Sequence, residues 1–109
     1  MASSKISQFK QLTEIDPSEA TFFGLGRAYM EEGYFEDAAD AFYKAIEKKP
    51  DYTAAYLQLG EALQHLNQIE KAICVYEKGI TVGEQTHNEI PKIKMEKRIK
   101  RLRRNQKST

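Results

Sequence analysis

Phe22-Phe23-Gly24-Leu25-Gly26-Arg27-Ala28-Tyr29 and Tyr56-Leu57-Gln58-Leu59-Gly60-Glu61-Ala62-Leu63 are one pattern written twice, 34 residues apart. Phe22 pairs with Tyr56, Leu25 with Leu59, Gly26 with Gly60 and Ala28 with Ala62. Downstream the register holds without a gap: Ala38 with Ala72, Phe42 with Tyr76, Ala45 with Gly79, Ile46 with Ile80. The positions that repeat are small or large apolar ones, which packing constrains most.

Each unit reads as two helices. Phe22, Leu25, Gly26 and Tyr29 fall at the i, i+3, i+4, i+7 spacing of one helical face. Ala38, Phe42, Ala45 and Ile46 resume it after Glu32-Gly33-Tyr34, where Gly33 can take the left-handed conformation that ends a helix. Asp16-Pro17-Ser18-Glu19 predicts a helix start with Asp16 as cap, Pro17 at the first helical position and Glu19 three residues after the cap. Pro50-Asp51 separates the units. In the second, Tyr56, Leu59, Gly60 and Leu63 form one face, and Ile69, Ala72, Ile73, Tyr76 and Ile80 the other. A mid-helix Gly costs about 1 kcal/mol relative to Ala. Its recurrence at one phase, Gly26 and Gly60, predicts close helix approach with an aromatic filling the gap.

These residues resemble the tetratricopeptide repeat, a 34-residue helix-turn-helix unit with a large residue, Leu-Gly, Tyr, Ala, an aromatic, Ala and Pro at fixed places. Unit one supplies Phe22, Leu25-Gly26, Tyr29, Ala38, Phe42, Ala45 and Pro50. Unit two supplies Tyr56, Leu59-Gly60, Leu63, Ala72, Tyr76 and Gly79, with Glu84 where Pro is usual, which weakens the expectation of a sharp helix end. The resemblance implies an all-α, right-handed helical-hairpin repeat, with repeat 1 at 19–52 and repeat 2 at 53–86. Small bacterial proteins of this type carry two repeats between flanking helices, and Lys94-Met95 to Leu102-Arg103-Arg104 looks like their ending.

Two repeats are fewer than the ~3 a stack normally needs, so the flanks should close it. Residues 3–15 read as a helix packing Ile6, Phe9, Leu12 and Ile15 on the first unit, capped by Ser3 or Ser4. Residues 88–104 read as a basic capping helix with Asn88 as cap and Met95, Ile99 and Leu102 as its stripe. Ile90 and Ile93 are expected to pack at its entry, and residues 105–109 to be disordered.

The 109 residues argue for one domain. No run of ~18 apolar residues predicts a transmembrane segment. The Met-Ala-Ser-Ser-Lys start lacks a signal-peptide core, and the single Cys74 allows no internal disulfide. A cytoplasmic location is expected. No catalytic set emerges: His65 and His87 have no third ligand at metal spacing, Gly24-Leu25-Gly26 is mid-helix, and Cys74 has no CxxC partner or nearby His. The chain is therefore read as no enzyme, with no cofactor and no metal. Glu31, Glu32, Glu36, Asp37 and Asp40 read as a solvated acidic face.

The remaining chemistry is surface. In the family, the first helix of each unit lines a concave groove. The resemblance puts Ala20, Phe23, Arg27, Met30 and Glu31, then Ala54, Leu57, Glu61, Gln64 and His65, at its inward places. Chaperone-binding members clamp a carboxylate with Lys and Asn; here Phe23 and Leu57 replace those lysines, and Arg27 and Glu61 the asparagines, so no such clamp is expected. The expected groove residues are Phe23, Arg27, Met30, Leu57, Glu61 and Gln64, suited to a peptide or helix of a protein partner. Whether the last helix covers them stays open. Residues 92–109 carry a net +8 and residues 1–91 a net −7, so the overall +1 is a cancellation. Lys97, Lys100, Arg101 and Arg104 share a helical face. It reads as a solubilising cap, a contact to RNA or anionic lipid, or a dock on an acidic body, including a weak salt-sensitive homodimer. With no aromatic in the tail, base stacking is not expected.

Overall fold

The computed structural model describes residues 4–107, which form six helices and no strand. They are α1 (Ser4–Ile15), α2 (Glu19–Glu32), α3 (Phe35–Lys48), α4 (Thr53–His65), α5 (Ile69–Thr86) and α6 (Glu89–Lys107). Each helix packs on the next, and α2 also touches α4, and α4 touches α6. The result is an all-α helical repeat whose first-type helices, α2, α4 and α6, stand side by side.

The glycine contact recurs in both repeats. A Cβ on Gly26 would lie 2.5 Å from the Phe42 ring, and one on Gly60 would meet the Tyr76 ring at 2.1 Å. Phe42, Tyr76, Ala38 and Ala72 are fully buried. Only a residue without a side chain lets α2 approach α3, and α4 approach α5, this closely. Gly33 ends α2 at φ 80°, and its N–H donates to the Met30 carbonyl at 3.1 Å. The Tyr56 hydroxyl donates to the Pro50 carbonyl at 2.6 Å and ties the inter-repeat loop to α4.

The start of α2 differs from the expectation. Ser18, not Asp16, is the cap, at φ −107° and ψ 166°; its side chain accepts from the Thr21 N–H while Thr21 accepts from the Ser18 N–H. Pro17 lies outside the helix, and the Asp16 carbonyl accepts from the Ser18 N–H at 2.8 Å. Thr21 does the work expected of Glu19 because its hydroxyl reaches back across one turn.

The flanks also depart from the reading. In α1 only Ile6 is buried, with Leu25, Ala28 and Ala41, while Phe9 packs over Gly24. Leu12 and Ile15 are exposed, because the stripe outruns the apolar surface α2 offers. Ser3 lies outside the described residues and Ser4 is already helical. At the other end, α5 has 18 residues against 14 in α3, one extra turn that closes on His87 in the left-handed conformation. Met95, Ile99 and Leu102 are buried as expected, with Met95 over Gly79, but Ile90 and Ile93 point to solvent. The last helix does not stop at 104: Asn105, Gln106 and Lys107 are helical, and Gln106 donates to Glu70 on α5 at 2.6 Å. Residues 108 and 109 of the expected disordered tail lie outside the described residues.

Candidate peptide-binding face

Along α2, Glu19, Phe23, Arg27 and Met30 follow one another at three- and four-residue steps. Phe23 is half-buried, its ring 5.7 Å from Phe42 and 5.0 Å from Tyr52. Tyr52, just before α4, lies between Glu19 and Arg27: burial pushes its hydroxyl pKa up, Glu19 adds to that, and Arg27 opposes it. Arg27 is exposed and has no ion pair among the described residues. Met30 is half-buried against the core, and Glu31 is held by Lys5 of α1 at 3.1 Å.

On α4 the picture is different. Leu57 is 8% exposed and belongs to the core between the repeats. It is floor rather than contact surface, because α2 leans on α4 and closes over it. Glu61 is engaged by Arg98 of α6 at 2.7 Å, and Gln64 accepts a hydrogen bond from the Tyr76 hydroxyl. Burial drives the Tyr76 pKa well above the ordinary tyrosine value, Arg98 pulls it back, and Glu61 raises it. His65 stacks flat on Phe35, centroids 4.2 Å apart. A shallow depression remains here, lined by Glu61, Gln64, His65 and Arg98.

The question of cover is answered by position. α6 packs on α5 and reaches α4 through Arg98, but makes no contact with α2. It narrows the Glu61 end and leaves Phe23, Tyr52 and Arg27 open. A second depression, between α1 and α2, is lined by Lys5, Phe9, Ala20, Phe23, Arg27 and Glu31. Lys97, Lys100, Arg101 and Arg104 are exposed on the side of α6 turned away from Met95, Ile99 and Leu102. Part of the tail docks on its own acidic body, through Arg98–Glu61 and Arg103–Glu77 at 3.0 Å.

Tyr52 and Arg98 were not singled out by the sequence. Tyr52 stands where the first unit has Ser18, so matching the units gives no signal. Arg98 is hidden in a basic run; the usable signal was Glu61, an inward carboxylate with no cation on its own helix face. No group of His, Cys, Asp or Glu among the described residues could hold a metal, and none of their helices is long and apolar enough to cross a membrane.

Antiparallel helix pairs stacked so that their first helices share a face, with aromatic and charged side chains along it, define a helical-hairpin repeat protein. The sequence model described as tetratricopeptide repeat matches residues 29–80. The chain is 33% identical over 67 residues to the TPR repeat-containing protein PA0015 of Pseudomonas aeruginosa, a match covering 62% of this chain and 63% of that protein. It therefore spans less than two thirds of that relative's length. The TPR2B domain of yeast Sti1, solved as its pHsp70 complex, superposes with a TM-score of 0.86 at 16% identity, over 92% of this chain and 81% of that one. Protein BPP2914 from Bordetella parapertussis gives 0.80 at 22% identity, covering 92% and 88%. The family-model match, the TPR-named relative and the solved neighbours together support a tetratricopeptide-repeat protein; domains of that family generally mediate protein–protein interactions.

Proposed function

We propose that this chain is a non-catalytic, cytoplasmic interaction module that holds a peptide or helix of a protein partner along the shared face of α2, α4 and α6. The observation that carries this reading is the cluster of Phe23, Tyr52 and Arg27: two half-buried aromatic rings 5.0 Å apart beside a guanidinium without an ion pair among the described residues. Aromatic and Arg side chains are the ones that anchor interfaces, because they bury large area at low entropy cost. The Gln64–Arg98 end supplies polar groups that fix a bound segment's direction. The complex of the Sti1 domain, of the same fold, supports a binding role without naming this chain's partner.

Affinity purification from the native host tests it. Wild type is expected to retain a protein that the Phe23→Ala/Arg27→Ala variant loses, while Gln85→Ala on the exposed side of α5 retains it. Equal recovery by all three would overturn the reading.

A further inference from the structure

We infer that the outward face of α6 docks on the outward face of α3 of a second copy of this chain, as an antiparallel helix pair. The inference is independent of the peptide-binding face. Glu36, Asp40, Tyr43 and Glu47 are all exposed and follow at four-, three- and four-residue steps, so they form one line along α3. Among the described residues none of the three carboxylates has an ion pair. Lys44, beside the line, is turned to the Phe22 ring, 5.7 Å from its centroid.

The matching line on α6 is Ile93, Lys97, Lys100 and Arg101, again exposed and again without ion pairs among the described residues. Its own body cannot serve these cations: Glu61 and Glu77 are taken by Arg98 and Arg103, on other sides of the helix. Run antiparallel, Tyr43 falls opposite Ile93, Asp40 opposite Lys97, and Glu36 opposite Lys100 and Arg101. Tyr43 to Glu36 and Ile93 to Lys100 are both seven residues, a rise of about 10 Å on each helix. A parallel pairing would set Ile93 against Glu36. The antiparallel one joins the two apolar residues, 44% and 45% exposed, and sets Glu36 and Asp40 against Lys97, Lys100 and Arg101, while Glu47 runs on to Glu89, a carboxylate already held by Lys92 at 3.8 Å. The net +8 of residues 92–109 and −7 of the rest steer two copies together, while the overall +1 gives almost no net repulsion.

A phosphate-bearing partner explains less. The tail has no aromatic residue for base stacking, and Ile93 would gain nothing from a nucleic-acid backbone. Formed reciprocally, the contact closes a two-fold pair; formed once per copy, it propagates.

Sedimentation equilibrium of the full chain tests this. Wild type should associate at about 50 mM salt and weaken at least about tenfold by about 500 mM. Glu36→Lys/Asp40→Lys and Lys97→Glu/Lys100→Glu should each be monomeric with unchanged helical circular dichroism. Mixed one to one, they should associate again, since each reversed face now meets its complement. A monomeric wild type at low salt would overturn the inference. So would association that survives Lys97→Glu/Lys100→Glu, or a mixture that stays monomeric. Binding of RNA or of phosphatidylserine vesicles by a monomeric wild type would assign the face to that ligand instead.

Discussion

Gly60→Ala puts the packing of the repeat to a numerical test. The added methyl would lie 2.1 Å from Tyr76 Cε1 and 2.5 Å from Cζ. Carbon atoms rest about 3.5–4.0 Å apart, so the ring must retreat by more than about 1 Å. It has nowhere to go, being fully buried with its hydroxyl donated to Gln64. Overpacking of this kind costs about 1–3 kcal/mol, and a lost hydrogen bond about 1 kcal/mol more. Helix propensity returns about 1 kcal/mol. The net is a loss of about 2 kcal/mol, which in a domain of this size lowers Tm by about 8–16 °C. Thermal unfolding followed by circular dichroism reads it directly. Adding Tyr76→Leu should make the alanine nearly harmless, because the space it needs is then vacant. An unchanged or raised Tm for Gly60→Ala would refute the close-approach argument, since propensity alone would then decide.

Gly24→Ala is the contrasting case: its methyl also strikes an aromatic, Phe9 at 2.2 Å, but Phe9 sits half-buried on the terminal α1 and can swing away. Its Tm should change by less than half as much as that of Gly60→Ala. Met95→Ala removes a fully buried side chain against Gly79 and should cost about 2–5 kcal/mol, measured by urea unfolding, whereas Ile90→Ser should stay within about 0.5 kcal/mol. Alkaline titration should expose the buried tyrosines. Tyr76 holds its proton in the folded state above the ordinary value of 10.0, so the unfolded chain releases it first. Its contribution is fully present below about pH 10 and is lost as pH rises beyond, and Tyr76→Phe should flatten that alkaline decline.

The fold was legible where both partners of a contact lie inside the repeating pattern. Gly26 with Phe42 and Gly60 with Tyr76 recur at one offset, so sequence alone paired them, and the structure shows the two contacts. Legibility failed where a neighbouring helix sets the answer. Leu57 occupies an inward place, yet the lean of α2 on α4 buries it. Ile90 and Ile93 were expected to pack, but they lie on the side of α6 opposite the buried Met95, Ile99 and Leu102, which faces solvent. The cap of α2 was misread by two residues because Asp16 and Ser18 both suit the role, and only Thr21, reaching back to Ser18, decides between them. Of the face residues, Phe23, Arg27 and Met30 follow one another along α2, Arg27 exposed and the other two half-buried. Glu61 and Gln64 lie on α4, already engaged by Arg98 and Tyr76, which belong to other helices.

The binding role rests on the open end of the α2–α4 face, so the decisive measurement places a photo-crosslinker there. With benzoylphenylalanine at Arg27, irradiation in the native host should trap a protein partner in a discrete adduct. The same group at Gln85, on the exposed side of α5, should trap none of it. An adduct to that partner at Gln85 and none at Arg27 would move the binding surface to the opposite side of the stack and contradict the role assigned to Phe23, Tyr52 and Arg27.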